Sequence, residues 1–356
     1  MKIQHTLLAS ALLAAMSAQA QTSITVYGNA DIAYNNLITT ATAGTKVEDN
    51  NIVAGGLSTS NVGFRGDREI APGMKATFQF EFEVDPTTNA GIVKTRAGLV
   101  GLAGGYGAVT FGRRTTLVKA AIDATDAGDG INTIGFLGDN ARDSRRDDMM
   151  TFSTPAVAGF SADVQLSFGS ASRNTSAVGV ITQDGKSGDA NSVGLNYANG
   201  PLTVKWVNES IKNYGSAVSA AGTSMGAPAS TAAASPSRKN SSLGATYDLG
   251  FVKLFYVDTK MEQGISTAMS KFDTQTVGLR VPVGSFTYVA ESGSGKAQLL
   301  TSATKVDLKA LQLSALYTLA KDTTLYVAYG TESASHPTYT VKADQKNTQF
   351  GLRYKF

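Results

Sequence analysis

Three aspartates recur at every third position in the stretch IDATDAGDG, as Asp123, Asp126 and Asp129. Closely spaced carboxylates can hold a calcium ion. An EF-hand loop, however, sets its ligands at positions one, three and five and closes with a Glu, and this stretch does neither. Acids of this kind do other work when cations stand opposite them, because two signs facing across a narrow waist create a transverse field that selects among ions. The alternative is a set of solvated loop acids.

Most other chemistry is excluded by composition. The chain has no Cys, so disulfides and thiolate metal sites are ruled out. It has two His, and only His336 lies beyond the first twenty residues, beside Pro337. A His-based catalytic triad or a multi-histidine metal centre needs imidazoles converging on one point. No cofactor is expected. The net charge of +3 is too small to argue for nucleic acid.

The remaining charged residues sit in alternating stretches. In MKATFQFEFEV, at 74–84, Met74, Ala76, Phe78, Phe80, Phe82 and Val84 share one parity, while Lys75, Thr77, Gln79, Glu81 and Glu83 share the other. An extended strand would be apolar on one face and charged on the opposite face, whereas a helix would scatter both sets. Eleven residues at a rise of about 3.3 Å, tilted by roughly 45°, cover about 25 Å, the height of the apolar band of an outer-membrane barrel. A half-buried strand of a soluble sandwich alternates in the same way, so the whole chain has to decide.

Lys2, an apolar run at 7–16 and Ala18-Gln19-Ala20 form a signal peptide over residues 1–20, which leaves 21–356 as the mature chain. Beyond it no apolar run reaches eighteen residues, so an exported chain of this kind is periplasmic, secreted or a membrane β-barrel. The alternating stretches amount to about sixteen strands. Connections near 69–73, 103–106, 155–158, 199–201, 249–250, 282–284 and 319–322 are short. Those near 35–56, 85–91, 115–148, 170–190, 209–241, 259–271, 292–307 and 332–347 are longer. Short and long connections alternate, which puts all the short ones at one end of an up-and-down array. A transmembrane antiparallel barrel with tight periplasmic turns predicts this, and a Greek-key sandwich does not. The segment 115–148 shows neither strand alternation nor a helical stripe, and a segment of that length inside a regular array is functional or disordered. The run of small residues at 216–237 reads as an external loop.

Several pieces of the chain resemble the general porins of beta-proteobacterial outer membranes: SITVYGNAD at 23–31, GFRGDREIAPGMKATFQFEFE at 63–83, GGYGAVTFGRR at 104–114 and the closing GLRYKF at 351–356. The resemblance implies an all-β, sixteen-stranded trimeric barrel whose long third loop, after strand five, folds inward as a constriction. It also implies constriction roles for Glu81 and Arg96, with Arg145 or Arg146 as further members, and makes the terminal Phe356 a signal for the barrel-assembly machinery. Three places depart from the family pattern. Asn61 follows Ser60 where Arg is common, Arg146-Asp147-Asp148-Met149-Met150 replaces the usual motif before strand six, and Ala71-Pro72 stands in the turn after strand two.

In lipid, every backbone polar group must be paired within the protein, and closure of the sheet achieves this. The polar parity then points inward, and at about sixteen strands the interior is too wide for side chains to fill, leaving an aqueous channel for ions and small hydrophilic solutes. Inward by parity are Arg65, Lys75, Glu81, Glu83, Lys94, Arg96, Lys205, Arg280 and Arg353. On the fourth strand, Val93, Ala97 and Leu99 take the opposite face. Cations outnumber anions in the wall set, which predicts weak anion preference. The expected surroundings are outer-membrane lipid and two further copies of the chain. The competing readings are a substrate-specific channel, a barrel enzyme such as a lipase or protease, and an exported adhesin.

Overall fold

The computed structural model describes residues 23–40, 45–89, 91–128, 145–168, 189–212, 237–265, 268–298, 305–335 and 342–356. The leader, Asp129, His336 and most of the run at 216–237 lie outside them. In chain order the elements are β1 Ser23–Thr40, β2 Lys46–Ala54, β3 Asn61–Ala71, β4 Met74–Asp85, β5 Gly91–Gly104, β6 Gly107–Thr115, α1 Leu117–Thr125, β7 Arg145–Ser153, β8 Phe160–Ser167 and β9 Ala190–Asn199. They continue as β10 Leu202–Ile211, β11 Ser237–Asp248, β12 Lys253–Ile265, β13 Ala268–Val283, β14 Phe286–Gln298, β15 Lys305–Ala320, β16 Thr323–Ser335 and β17 Lys342–Lys355.

All strands belong to one antiparallel sheet, and β17 pairs back onto β1 from Asn29 opposite Lys355 to Thr40 opposite Asp344. The sheet is therefore closed. At the seam, Gly28 N donates to the Phe356 carbonyl at 2.9 Å and Phe356 N donates back at 3.1 Å. A Cβ on Gly28 would lie 2.3 Å from the Phe356 ring, so the seam requires glycine there. On its other flank β1 pairs with β3 along 23–29 and with β2 along 32–40. Strands β2 and β3 thus occupy one position of the wall in turn, which makes a sixteen-position barrel from seventeen strands.

This corrects the expected external loop at 35–56. Its side chains are polar, so no apolar alternation marks a strand. Instead, Asn35 pairs with Asn51 and Asn36 with Glu48 and Asn50 through side-chain hydrogen bonds of 2.6–3.2 Å. A hairpin that rises out of the lipid into water needs no apolar face. Between β2 and β3 the chain leaves the wall. Both the Leu57 and Ser58 amides donate to the Asp31 carboxylate, at 3.0 and 2.7 Å, and Tyr326 Oη donates to it at 2.6 Å.

Outward faces match the apolar parity of the sequence, with Ile24, Val26, Phe64, Phe80, Val100, Phe111, Leu195, Leu313 and Phe350 all exposed. A soluble protein would bury such a belt, and hydrocarbon covers it here. Tight turns close one end. At Asn199-Gly200 and Val283-Gly284 the glycines take φ of +56° and +59°, a conformation that L side chains rarely adopt.

The segment expected to lack a helix contains α1. Thr116 caps it by accepting from Lys119 N, and Leu117, Val118, Ala121 and Ile122 form one buried stripe. At nine residues, the stripe is too short to stand out as a period in the sequence. It packs on Val207 of β10 and Val257 of β12, both facing inward. The loop therefore lies inside the barrel.

Candidate functional site: a charged waist inside the barrel

Glycines in the wall let the loop sit close against it. A Cβ on Gly244 of β11 would fall 2.0 Å from Thr125 Oγ1, and one on Gly278 of β13 would fall 2.4 Å from Ala127 Cβ. Polar contacts complete the attachment: Leu117 N donates to Gln165 Oε1 of β8 at 3.2 Å, and Arg280 Nε of β13 donates to the Ala127 carbonyl at 2.7 Å. Over residues 117–128 the chain tracks along the inner wall from β8 to β15, where Gly128 meets Glu291 and Gln312.

Facing this shelf, the inner wall of β3–β7 carries a ladder of charges. Arg96 Nε donates to Glu81 Oε1 at 2.5 Å and its Nη1 reaches Glu83 Oε2 at 3.4 Å, while Lys94 Nζ lies 3.2 Å from the same Glu83 oxygen. Glu81 Oε2 also accepts from Tyr27 Oη at 3.0 Å, Tyr27 Oη accepts from Gln79 at 2.6 Å, and the Arg65 guanidinium stands over the Tyr27 ring at 5.2 Å. Arg145 lies within electrostatic reach of Arg96, Glu81 and Glu83 on this wall and of Asp123 on the loop. On α1, Lys119 pairs with Asp123 one turn on. The space between shelf and ladder is thus flanked by charge on both sides.

Strict parity fails on β5, and the failure shapes the ladder. The register slips between Glu81/Phe82 and between Glu83/Val84, so Arg96 has no partner of its own on β4. Bulges re-aim side chains in this way. Lys94 and Arg96 both reach the ladder. Ala97 and Leu99, expected outward, stand opposite Glu81 and Gln79 on the inner face.

The other expected wall residues are placed differently from one another. Lys75 is exposed near the short-turn mouth, 3.4 Å from Asp67. Lys205 donates to Asn196 at 3.1 Å. Arg280 is engaged with the loop, and Arg353 is buried opposite Asp31 at the seam. Arg146 is buried too: its Nη1 and Nη2 donate to the two Glu209 carboxylate oxygens at 3.0 and 3.1 Å. Glu209 accepts further bonds from Ser192 at 2.9 Å and Asn240 at 2.7 Å. Of the three aspartates, Asp123 stays with Lys119, while Asp126 accepts from Gly128 N at 2.8 Å beside Glu291. Tyr27, Gln79, Lys119 and Glu209 were not singled out from sequence. Gln79 lies on the polar parity of 74–84, which is the available signal.

A closed barrel with an apolar exterior, a charged interior and a shelf laid across its lumen defines a water-filled diffusion channel of the outer membrane. Residues 6–337 match the family described as Gram-negative porin, and the chain belongs to that family. It is 28% identical to an outer membrane porin protein of Bordetella pertussis over 99% of this chain and 100% of that protein. It is also 28% identical to outer membrane porin protein 32 of Delftia acidovorans over 91% of this chain and 88% of that one. In fold it is similar to an anion-selective porin from Comamonas acidovorans, with a TM-score of 0.72 and 22% identity over 94% of this chain and 100% of that chain. A trimer form of OmpT from Vibrio cholerae is similar with a TM-score of 0.64 and 14% identity, over 94% of this chain and 99% of that chain. The chain is an outer-membrane channel protein and not an enzyme.

Proposed function

We propose that the waist between α1 and the β3–β7 wall sets a weak anion preference in a channel for ions and small hydrophilic solutes. The observation that carries this reading is the balance of charge at the waist. Among the described residues Arg65, Lys94, Arg96, Lys119, Arg145 and Arg280 stand against Glu81, Glu83, Asp123, Asp126 and Glu291, a small excess of basic side chains. An aqueous pore lined by more cations than anions concentrates anions and repels cations. The similarly folded porin of Comamonas acidovorans is anion-selective, which favours the same reading.

The working unit of this reading is a homotrimer in outer-membrane lipid, assembled after loss of residues 1–20, with Phe356 as its assembly signal. Its support is the trimer form of a similar fold and the long apolar face of β4. The test is the reversal potential of the purified protein in a planar bilayer under a potassium chloride gradient. A potential of the sign set by chloride is expected, and clear potassium preference overturns the reading.

A further inference from the structure

The outer face of the barrel is not equally apolar all round. On β4 the outward series Met74, Ala76, Phe78, Phe80, Phe82, Val84 is apolar throughout. On β15 it is apolar only from Tyr317 to Leu311 and then reads Lys309, Asp307, Lys305. The register sets Lys296 of β14 opposite both Asp307 and Asp273, and Lys271 and Lys305 occupy the next tier. These side chains line an outward groove of about 590 Å³ near the ends of β13–β15 away from the tight turns at 284–285 and 321–322. Those are the external ends.

The height of the groove is informative. A strand tilted by about 45° uses about 9–11 residues to cross the hydrocarbon core. Counted from Phe286 and Tyr317, the aromatic residues at the short-turn end, that length runs out around Lys296 and Asp307. The lysines therefore stand where the outer leaflet changes from acyl chain to headgroup, and a long Lys stem can bring its ammonium to that boundary. Lys271 is engaged by Glu262 at 2.7 Å, whereas Lys296, Lys305 and Lys309 take part in no ion pair among the described residues. With four lysines against Asp273, Asp307 and the Glu262 that engages Lys271, the groove keeps a net positive charge at the level of lipid phosphates.

We propose that this groove seats the phosphate of an anionic lipid of the outer leaflet. Three ammonium groups converge on one pocket there, whereas the matching height of β4 offers an apolar face. The site lies outside the lumen, so occupancy and conduction are separable.

The test uses the full-length protein in neutral detergent, titrated with phosphatidic acid or phosphatidylcholine, with bound lipid counted by native mass spectrometry. Phosphatidic acid is expected to be retained in preference to phosphatidylcholine. Retention should weaken about fivefold in Lys309→Gln and about a hundredfold in the Lys296→Gln/Lys305→Gln/Lys309→Gln variant. Single-channel conductance of both variants should be unchanged, which shows that they are folded; if the triple variant does not insert, the single variant carries the same test. Equal retention by variant and parent, or no preference between the two lipids, overturns the proposal. Displacement of the lipid by an equal concentration of inorganic phosphate also overturns it, since the groove would then be a free-anion site.

Discussion

Arg96 with Glu81 and Arg146 with Glu209 are both ion pairs on the inner face of the barrel, but only the first meets water. The side chains of Arg96 and Glu81 are 16% and 17% exposed, and a neighbouring lysine, Lys94, is 54% exposed. Those of Arg146 and Glu209 are 8% and 1% exposed, with Ser192 and Asn240 taking up the remaining capacity of the carboxylate. The same residue types on the same parity thus do two jobs. On the proposed reading a pair at the water-filled gap projects a field onto passing ions, whereas a sealed pair has its charge consumed by its own partners and holds β7 to β10 beside the loop. Parity says which face a charge occupies; what covers that face decides its function.

The largest effect that could break this contrast is on stability. Glu209→Ala leaves the Arg146 guanidinium buried without its bidentate partner, and breaking one side of a buried pair costs about 3–5 kcal/mol. Glu81→Gln at the open ladder should cost about 1 kcal/mol or less, because water replaces what is lost. Denaturant titration of the two variants in micelles measures both, and equal losses would erase the distinction. The next effect is on conduction. Gly244→Val places carbon where Thr125 now sits, so the shelf must move into the lumen, and single-channel conductance is expected to fall. Unchanged conductance would mean that the shelf does not bound the pore.

The contrast also marks what the sequence could reveal. The barrel was legible because lipid on one side and water on the other impose a two-residue period on every strand, as in Met74–Asp85. The hairpin from 35 to 54 was not, since above the lipid no face needs to be apolar and Asn35 and Asn36 pair with other polar side chains. Lys94 and Arg96 could be placed inward from parity, but Ala97 and Leu99 could not, because a bulge shifts the phase and leaves no mark in residue type. Arg146 read as a pore charge for a related reason. Its partner Glu209 lies 63 residues away, and nothing local shows that the two meet.

A smaller effect tests the ladder itself. Arg145→Gln removes a cation that lies near Glu81, Glu83 and Asp123 at once, leaving those acids less compensated. Two charges a few ångströms apart in water interact by about 1 kcal/mol or less, so the chloride-to-potassium permeability ratio should fall by about two- to fivefold. Arg146→Gln/Glu209→Gln, which removes both charges of the sealed pair, should leave the ratio unchanged. A shift of equal size in both variants would mean that burial does not silence Arg146.

The smallest effect separates a field from a steric filter. Exposed charges are screened over a Debye length of about 10 Å at 0.1 M salt and about 3 Å at 1 M. The ladder of Lys94, Arg96, Glu81 and Glu83 meets water, so its contribution to ion preference should shrink as salt rises between those limits. Where the walls stand farther apart than the screening length, an ion no longer senses both. The sealed Arg146–Glu209 pair excludes counter-ions, so the denaturant midpoint of the protein should hold nearly constant over the same range. Reversal potentials and unfolding curves recorded at matched salt concentrations give the two trends side by side. A preference that survives 1 M salt undiminished would assign selectivity to the width of the waist rather than to its charges.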